Sequence, residues 1–160
     1  MAKIAGIKGK SPEAYPPDDT GQPTISTYGT ANATPIPLST VLTNPTSLLP
    51  AGPIEAGGSS DRIIVMFSGV LQWGFGESGP APAVAKIGVY LDGSSTPSYF
   101  ISVFVPATNA PPTTPAQPTP FSLFWETPVN GAHEVDVKAV TTSGACYAAQ
   151  GSLVLITTPV

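Results

Sequence analysis

Charge is scarce in this chain. Asp, Glu, Lys and Arg together make up 10% of its 160 residues, against about a quarter in an ordinary soluble domain. A surface so poor in charge is either hydrated through Ser and Thr or covered by neighbours. Large exposed apolar areas usually mark interaction sites, and that favours neighbours. Cysteine is limited to Cys146, which excludes an intrachain disulfide and leaves the redox compartment open. Histidine is limited to His133, so metal centres built on several imidazoles are excluded. No apolar run reaches 18 residues, and Met1-Ala2-Lys3-Ile4-Ala5-Gly6-Ile7-Lys8 has no continuous apolar core. The expectation is a protein made in a cytoplasm without a signal peptide or a membrane span. A sustained 3.6-residue apolar period is also missing, so helices are not expected.

What replaces them is proline and β-branched residues. Nine prolines fall in the first 60 residues (Pro12, Pro16, Pro17, Pro23, Pro35, Pro37, Pro45, Pro50 and Pro53), among Gly, Ala, Ser and Thr. Proline fixes φ and removes a donor, so this stretch reads as extended, without helix or a sheet of its own. It buries too little to offset the entropy of ordering it. Residues 1–60 are therefore expected to be an arm held by something outside themselves, with a possible edge strand near 36–42. Its tip is basic: Lys3, Lys8 and Lys10 meet no acid in the first twelve residues, while residues 13–160 carry ten acids against Arg62, Lys86 and Lys138. That gives +3 at the tip and −7 beyond it, for the net −4. An acidic body with three lysines at one end is not expected to bind nucleic acid.

From residue 61 the texture changes. Six strands are expected at 62–73, 83–91, 98–105, 121–126, 132–140 and 147–157, with a bend or bulge at Gly69 in the first. Asp92-Gly93, Asn130-Gly131 and Ser143-Gly144 supply turns. Ser98–Val105 is apolar on both faces, so it should lie mid-sheet or under a partner. Pro106–Pro120, with six prolines in fifteen residues, is long for an internal loop. Seven or eight short strands with uneven connections predict an all-β fold, a jelly-roll-like antiparallel sandwich over residues 61–160. Such a sandwich has open edges, and the arm could add a strand to its own domain or to a neighbour's.

Chemistry is thin. His133 sits beside a turn with no second base or nucleophile placed by a local motif, so a turn-packing role is preferred to catalysis. Glu134 and Asp136 share a strand face with Lys138, as expected of a solvated face, and no facing carboxylates complete a glycosidase pair. Gly74-Phe-Gly-Glu-Ser-Gly79 is not followed by a helix and makes no phosphate cradle. No catalytic residue, metal site or cofactor is assigned. The aromatic residues allow one alternative, a glycan platform of Trp73, Tyr90 and Trp125 in a receptor-binding or adhesin module, set against core or interface packing.

Three segments carry a resemblance: Ile63-Ile-Val-Met-Phe-Ser-Gly-Val-Leu71, Ala85-Lys-Ile-Gly-Val-Tyr-Leu-Asp-Gly93 and, above all, Gly131-Ala-His-Glu-Val-Asp-Val-Lys-Ala139. Tyr147-Ala-Ala-Gln-Gly-Ser-Leu-Val-Leu-Ile156 adds to it. In texture, the C-terminal part resembles the small jelly-roll virion proteins of tailed bacteriophages, of the capsid decoration (cement) type, with collar and fibre-tip domains as near relatives. The resemblance implies a non-enzymatic part of the capsid exterior that binds the major capsid protein and its own copies, as a homotrimer or a dimer. The Pro-rich 106–120 insertion and the sparse charge depart from that pattern. The contacts would come from the arm: Lys3, Lys8 and Lys10 by charge, and Ile4, Ile7, Tyr15, Ile25, Tyr28, Leu48 and Leu49 as apolar plugs.

Overall fold

The computed structural model describes residues 23–30, 35–49, 53–56, 61–73, 82–107, 118–143 and 146–159. Ten strands and no helix occur among them: β1 (Thr24–Thr30), β2 (Ile36–Pro37), β3 (Thr46–Ser47), β4 (Ile54–Ala56), β5 (Asp61–Trp73), β6 (Ala83–Leu91), β7 (Tyr99–Val105), β8 (Thr119–Pro128), β9 (His133–Thr141) and β10 (Cys146–Pro159). All strand pairings are antiparallel.

Two sheets result. In sheet I the order is β1-β10-β5-β8, with β2 also on β10. In sheet II it is β3-β9-β6-β7, with β4 also on β9. Strands β1 and β2 pair different stretches of β10, Gly151–Thr157 and Tyr147–Ala148. Strands β3 and β4 likewise share β9. Counting each such couple as one interrupted strand leaves eight, four to a sheet, and the chain visits the sheets in the order I, II, I, II, II, I, II, I. That path is the double Greek key of a jelly roll, the fold class expected from the sequence.

The expected division at residue 60 does not hold. Residues 24–56 supply the first two strands of the roll and five buried side chains, Leu38, Leu48, Leu49, Ile54 and Ala56. The segment crosses from sheet I to sheet II at a riveted corner. There the Leu38 N–H donates to the Cys146 carbonyl (3.1 Å) and the Thr141 N–H to the Ser39 carbonyl (2.9 Å). The Leu48 N–H then donates to the Val137 carbonyl at 2.8 Å. Short proline-bounded strands succeed here because β9 and β10 supply the ladder; they need no periodicity of their own. Of the expected arm, residues 1–22, 31–34, 50–52 and 57–60 lie outside the described residues.

Inward side chains follow strand parity. Ile63, Val65, Phe67, Leu71 and Trp73 of β5 are buried, as are Phe121 and Leu123 of β8 and Leu153 and Leu155 of β10. Sheet II answers with Ala83, Ala85, Ile87, Val89, Val105, Val135, Val137 and Ala139. Strand β10 changes phase at a bulge between Ala149 and Gly151. Cys146 and Ala148 therefore face inward before it and Leu153 and Leu155 after it, while β5, expected to bulge at Gly69, keeps one phase throughout. Burial at this level contributes about 1.5–3 kcal/mol for each large aliphatic side chain.

Cys146 is fully buried, and burial pushes its thiol above the ordinary range. Only the thiolate reacts, so the native protein should resist a disulfide reagent at pH 8, and one thiol should react on unfolding. A native thiol as fast as the unfolded one would contradict this placement. Above about pH 9, where the unfolded thiol ionises and the buried one does not, Cys146 contributes a stability that falls with pH.

Candidate interaction surface

The two sheets differ on their outer faces. On sheet II the chain's own loop covers part of the outer face, while Phe100 and Phe104 of β7 stay exposed. Asp92 (φ 53°) and Gly93 (φ 67°) turn the chain after β6, and residues 94–98 bring Pro97 onto Gly88. A Cβ on Gly88 would stand 2.8 Å from the Pro97 Cβ, so any side chain there must lift the loop. The turn itself is pinned by Asp92. One carboxylate oxygen accepts the Glu134 N–H at 3.0 Å and the other lies 2.7 Å from His133 Nδ1. These bonds, His133 first, hold the Asp92 carboxyl below its usual value. A carboxylate only accepts, so His133 Nδ1 carries the proton in this contact. His133 is thus a turn-packing side chain.

Next to it, Asp136 is buried, unlike the solvated residue expected. It accepts the Ser47 hydroxyl at 2.8 Å and pairs with Lys138 at 3.6 Å. Strand β3 covers it, and strand alternation alone cannot reveal a neighbour from 89 residues upstream. The Lys138 ammonium also lies 5.1 Å from the centre of the Tyr90 ring, whose hydroxyl is pushed up by burial and by Asp136.

Sheet I is open. Strand register places Ile25, Ile156 and Ile64 in one row across its outer face, and Val154, Met66 and Phe124 in the next. Ile25 is 64% exposed, Phe124 56% and Met66 44%. The stripe is bounded on one side by Ser152, Ser68 and Ser122, which share a row. On the other side Arg62, one row further, forms a loose ion pair at 3.9 Å with Glu126, which ends the Ile64 row on β8. Six apolar side chains framed by polar rows make a surface suited to being covered.

The sequence-derived contact residues fall in three groups. Lys3, Ile4, Ile7, Lys8, Lys10 and Tyr15 lie outside the described residues. Ile25 sits at the edge of the apolar stripe, and the backbone of Tyr28 pairs with Leu153. Leu48 and Leu49 are corrected: at 2% and 4% exposure they fill this protein's own core and cannot plug another surface. Met66 and Phe124 were missed, although both stand at the outward parity of their strands.

The glycan platform is also corrected. Trp73 is 3% exposed and donates its indole N–H to the Pro106 carbonyl at 2.7 Å. Trp125 packs against the core from the inner side of sheet I, and Tyr90 is buried on sheet II. The three share no face. Among the described residues no group of three or more His, Cys, Asp or Glu is placed to hold a metal ion, and no helix is long and apolar enough to cross a membrane.

Comparison with known families and with curated proteins returns no match. Among solved structures, the chain is similar to a chain in the structure of infectious bursal disease virus, Gt strain. The similarity has 17% identity and a TM-score of 0.45 and covers 96% of this chain and 37% of that one. The present chain thus spans well under half the length of that chain.

Proposed function

We propose that this protein is a non-enzymatic structural component of a virus particle, a decoration protein on the capsid exterior that binds the major capsid protein. The observation that carries this reading is the apolar stripe on sheet I, set in a chain with so few charges. A two-row apolar patch spread across a sheet face suits a broad protein surface better than a small ligand. Residues 1–22 support it further. They carry half of the chain's cations, Lys3, Lys8 and Lys10, and they lead directly into β1, the strand that holds Ile25. If extended, they can reach at most about 75 Å, which spans a neighbouring subunit. Stripe and segment together would give one broad contact and one tether, whose effects multiply through effective concentration.

The test uses shells assembled from the major capsid protein without decoration. A Met66→Glu, Phe124→Glu double variant should keep its far-UV spectrum and thermal transition, because both side chains already face solvent. It should lose at least tenfold in co-sedimentation with shells, since two carboxylates would be desolvated in the contact. Removal of residues 1–22, which stops short of β1, should weaken binding separately. Wild-type occupancy by the double variant would overturn the assignment of this face.

A further inference from the structure

Strand β7 was expected mid-sheet or under a partner because both its faces are apolar. It is the last strand of sheet II, paired to β6 along one edge only among the described residues, which leaves the second alternative. Every second residue of an edge strand turns an unpaired N–H and C=O outward, and natural edges are usually blunted by lysine, proline, a bulge or shortness. None of these devices is present in the seven residues of β7 (Tyr-Phe-Ile-Ser-Val-Phe-Val). By contrast, β8, one of the two edges of sheet I, carries Pro120 and Pro128 near its ends and Glu126 between them. Strand β7 also keeps its aromatics in solvent: Phe104 is 59% exposed, Phe100 50% and Tyr99 38%.

The order of side chains in β7 identifies what would cover it. Phe100-Ile101-Ser102-Val103-Phe104 reads the same in kind from either end. Two copies of one strand can pair antiparallel with matching faces only when the two-fold axis passes through a residue or lies in an equivalent even register, because side chains alternate. An axis at Ser102 places Phe100 opposite the second copy's Phe104, Ile101 opposite its Val103, and Ser102 opposite itself. It also uses all seven residues of the strand. Moving the axis to residue 101 or 103 sets a Phe against a Ser and shortens the ladder.

We infer that β7 is a self-recognition edge, and that two copies of this chain join antiparallel about Ser102 into one continuous eight-column sheet. The contact is isologous and closes on itself, since each copy spends its single open β7 edge. Aromatic pairs directly opposite in a ladder are among the favourable cross-strand pairs. Side chains of this size bury about 150–250 Å² each. Half-exposed Phe100, Phe104 and Tyr99 from both copies would therefore remove on the order of 600 Å² from water before the backbone edge is counted. That is about half the lower bound of about 1,200 Å² for stable interfaces and implies a weak, reversible dimer. The inference stands apart from the particle role and does not depend on the stripe of sheet I.

Sedimentation of the full chain across concentration should show a monomer–dimer equilibrium by about 100 μM. Ser102→Lys puts two ammonium groups opposite each other on the axis, beside Lys86, whose residue pairs with Ser102. It should shift dissociation at least tenfold while leaving the far-UV spectrum and tryptophan emission unchanged. Ser102→Cys gives an independent reading, because native Cys146 is buried. Mild oxidation should link Ser102→Cys into covalent dimers faster than it links Ser122→Cys, an exposed site on sheet I. A wild-type monomer or trimer at that concentration, a Ser102→Lys dimer of unchanged affinity, or equal cross-linking at both sites would each overturn it.

Discussion

A fragment that begins at residue 57 should not fold. It keeps the six strands legible in the sequence, β5 to β10, but loses one strand from each sheet. With them go Leu38, Leu48, Leu49, Ile54 and Ala56, all under 10% exposed. Single Leu or Ile to Ala changes in cores cost about 2–5 kcal/mol each, and a domain has only about 5–15 kcal/mol in total. Removing four such residues, and uncovering one edge of both β9 and β10, therefore exceeds what the remainder can hold. Circular dichroism and limited proteolysis would check this. The expected fragment is protease-sensitive and has no cooperative melt. A fragment 57–160 that melts within a few degrees of the whole chain would restore a separate arm and body. The single change Leu48→Ala should already cost about 2–5 kcal/mol, whereas a Leu48 serving only as an external plug would cost almost nothing.

Trp73→Ala should be the most damaging single substitution, at about 3–5 kcal/mol in denaturant unfolding. The indole fills the end of β5 on the inner side of sheet I, and its N–H holds the Pro106 carbonyl where β7 runs into the Pro-rich segment. Trp73→Phe separates the two contributions. It keeps most of the packing and leaves the carbonyl without its donor, for about 1–3 kcal/mol. A sugar-stacking Trp73 would behave in the opposite way, losing ligand while stability stayed put. Unchanged stability of Trp73→Ala would remove this residue from the core.

Which parts of the fold could be read from the residues follows from where their information lies. Strands β5, β6, β8 and β9 announce themselves because alternation is local: Ile63, Val65, Phe67, Leu71 and Trp73 share one parity, and Val135, Val137 and Ala139 another. The turns at Asp92-Gly93 and Asn130-Gly131 are also local, and Gly131 does adopt a positive φ of 101°. Apart from the edge strand expected near 36–42, which β2 meets at its start, residues 36–56 were opaque for the opposite reason. Two- and three-residue strands have no period, and their partners in β9 and β10 lie far along the chain. The burial of Asp136 beneath Ser47 was hidden in the same way. Edge or centre was the other blind spot. Apolar residues on both faces of β7 signalled cover, but hydropathy does not say whether the cover comes from the same chain or from another.

The pairing of β1 and β2 with β10 has a kinetic consequence. These strands come from opposite ends of the described chain, so sheet I cannot be completed until its last strand is available. Likewise β3 and β4 wait for β9. A chain emerging from the ribosome would hold β1 to β4 without partners until β9 and β10 have emerged, and their closure carries the entropic cost of a very long loop. Such non-local order places folding in the slow, millisecond-to-second regime of all-β domains. During that wait, the prolines of the first quarter keep the unpaired segment from pairing prematurely with copies of itself.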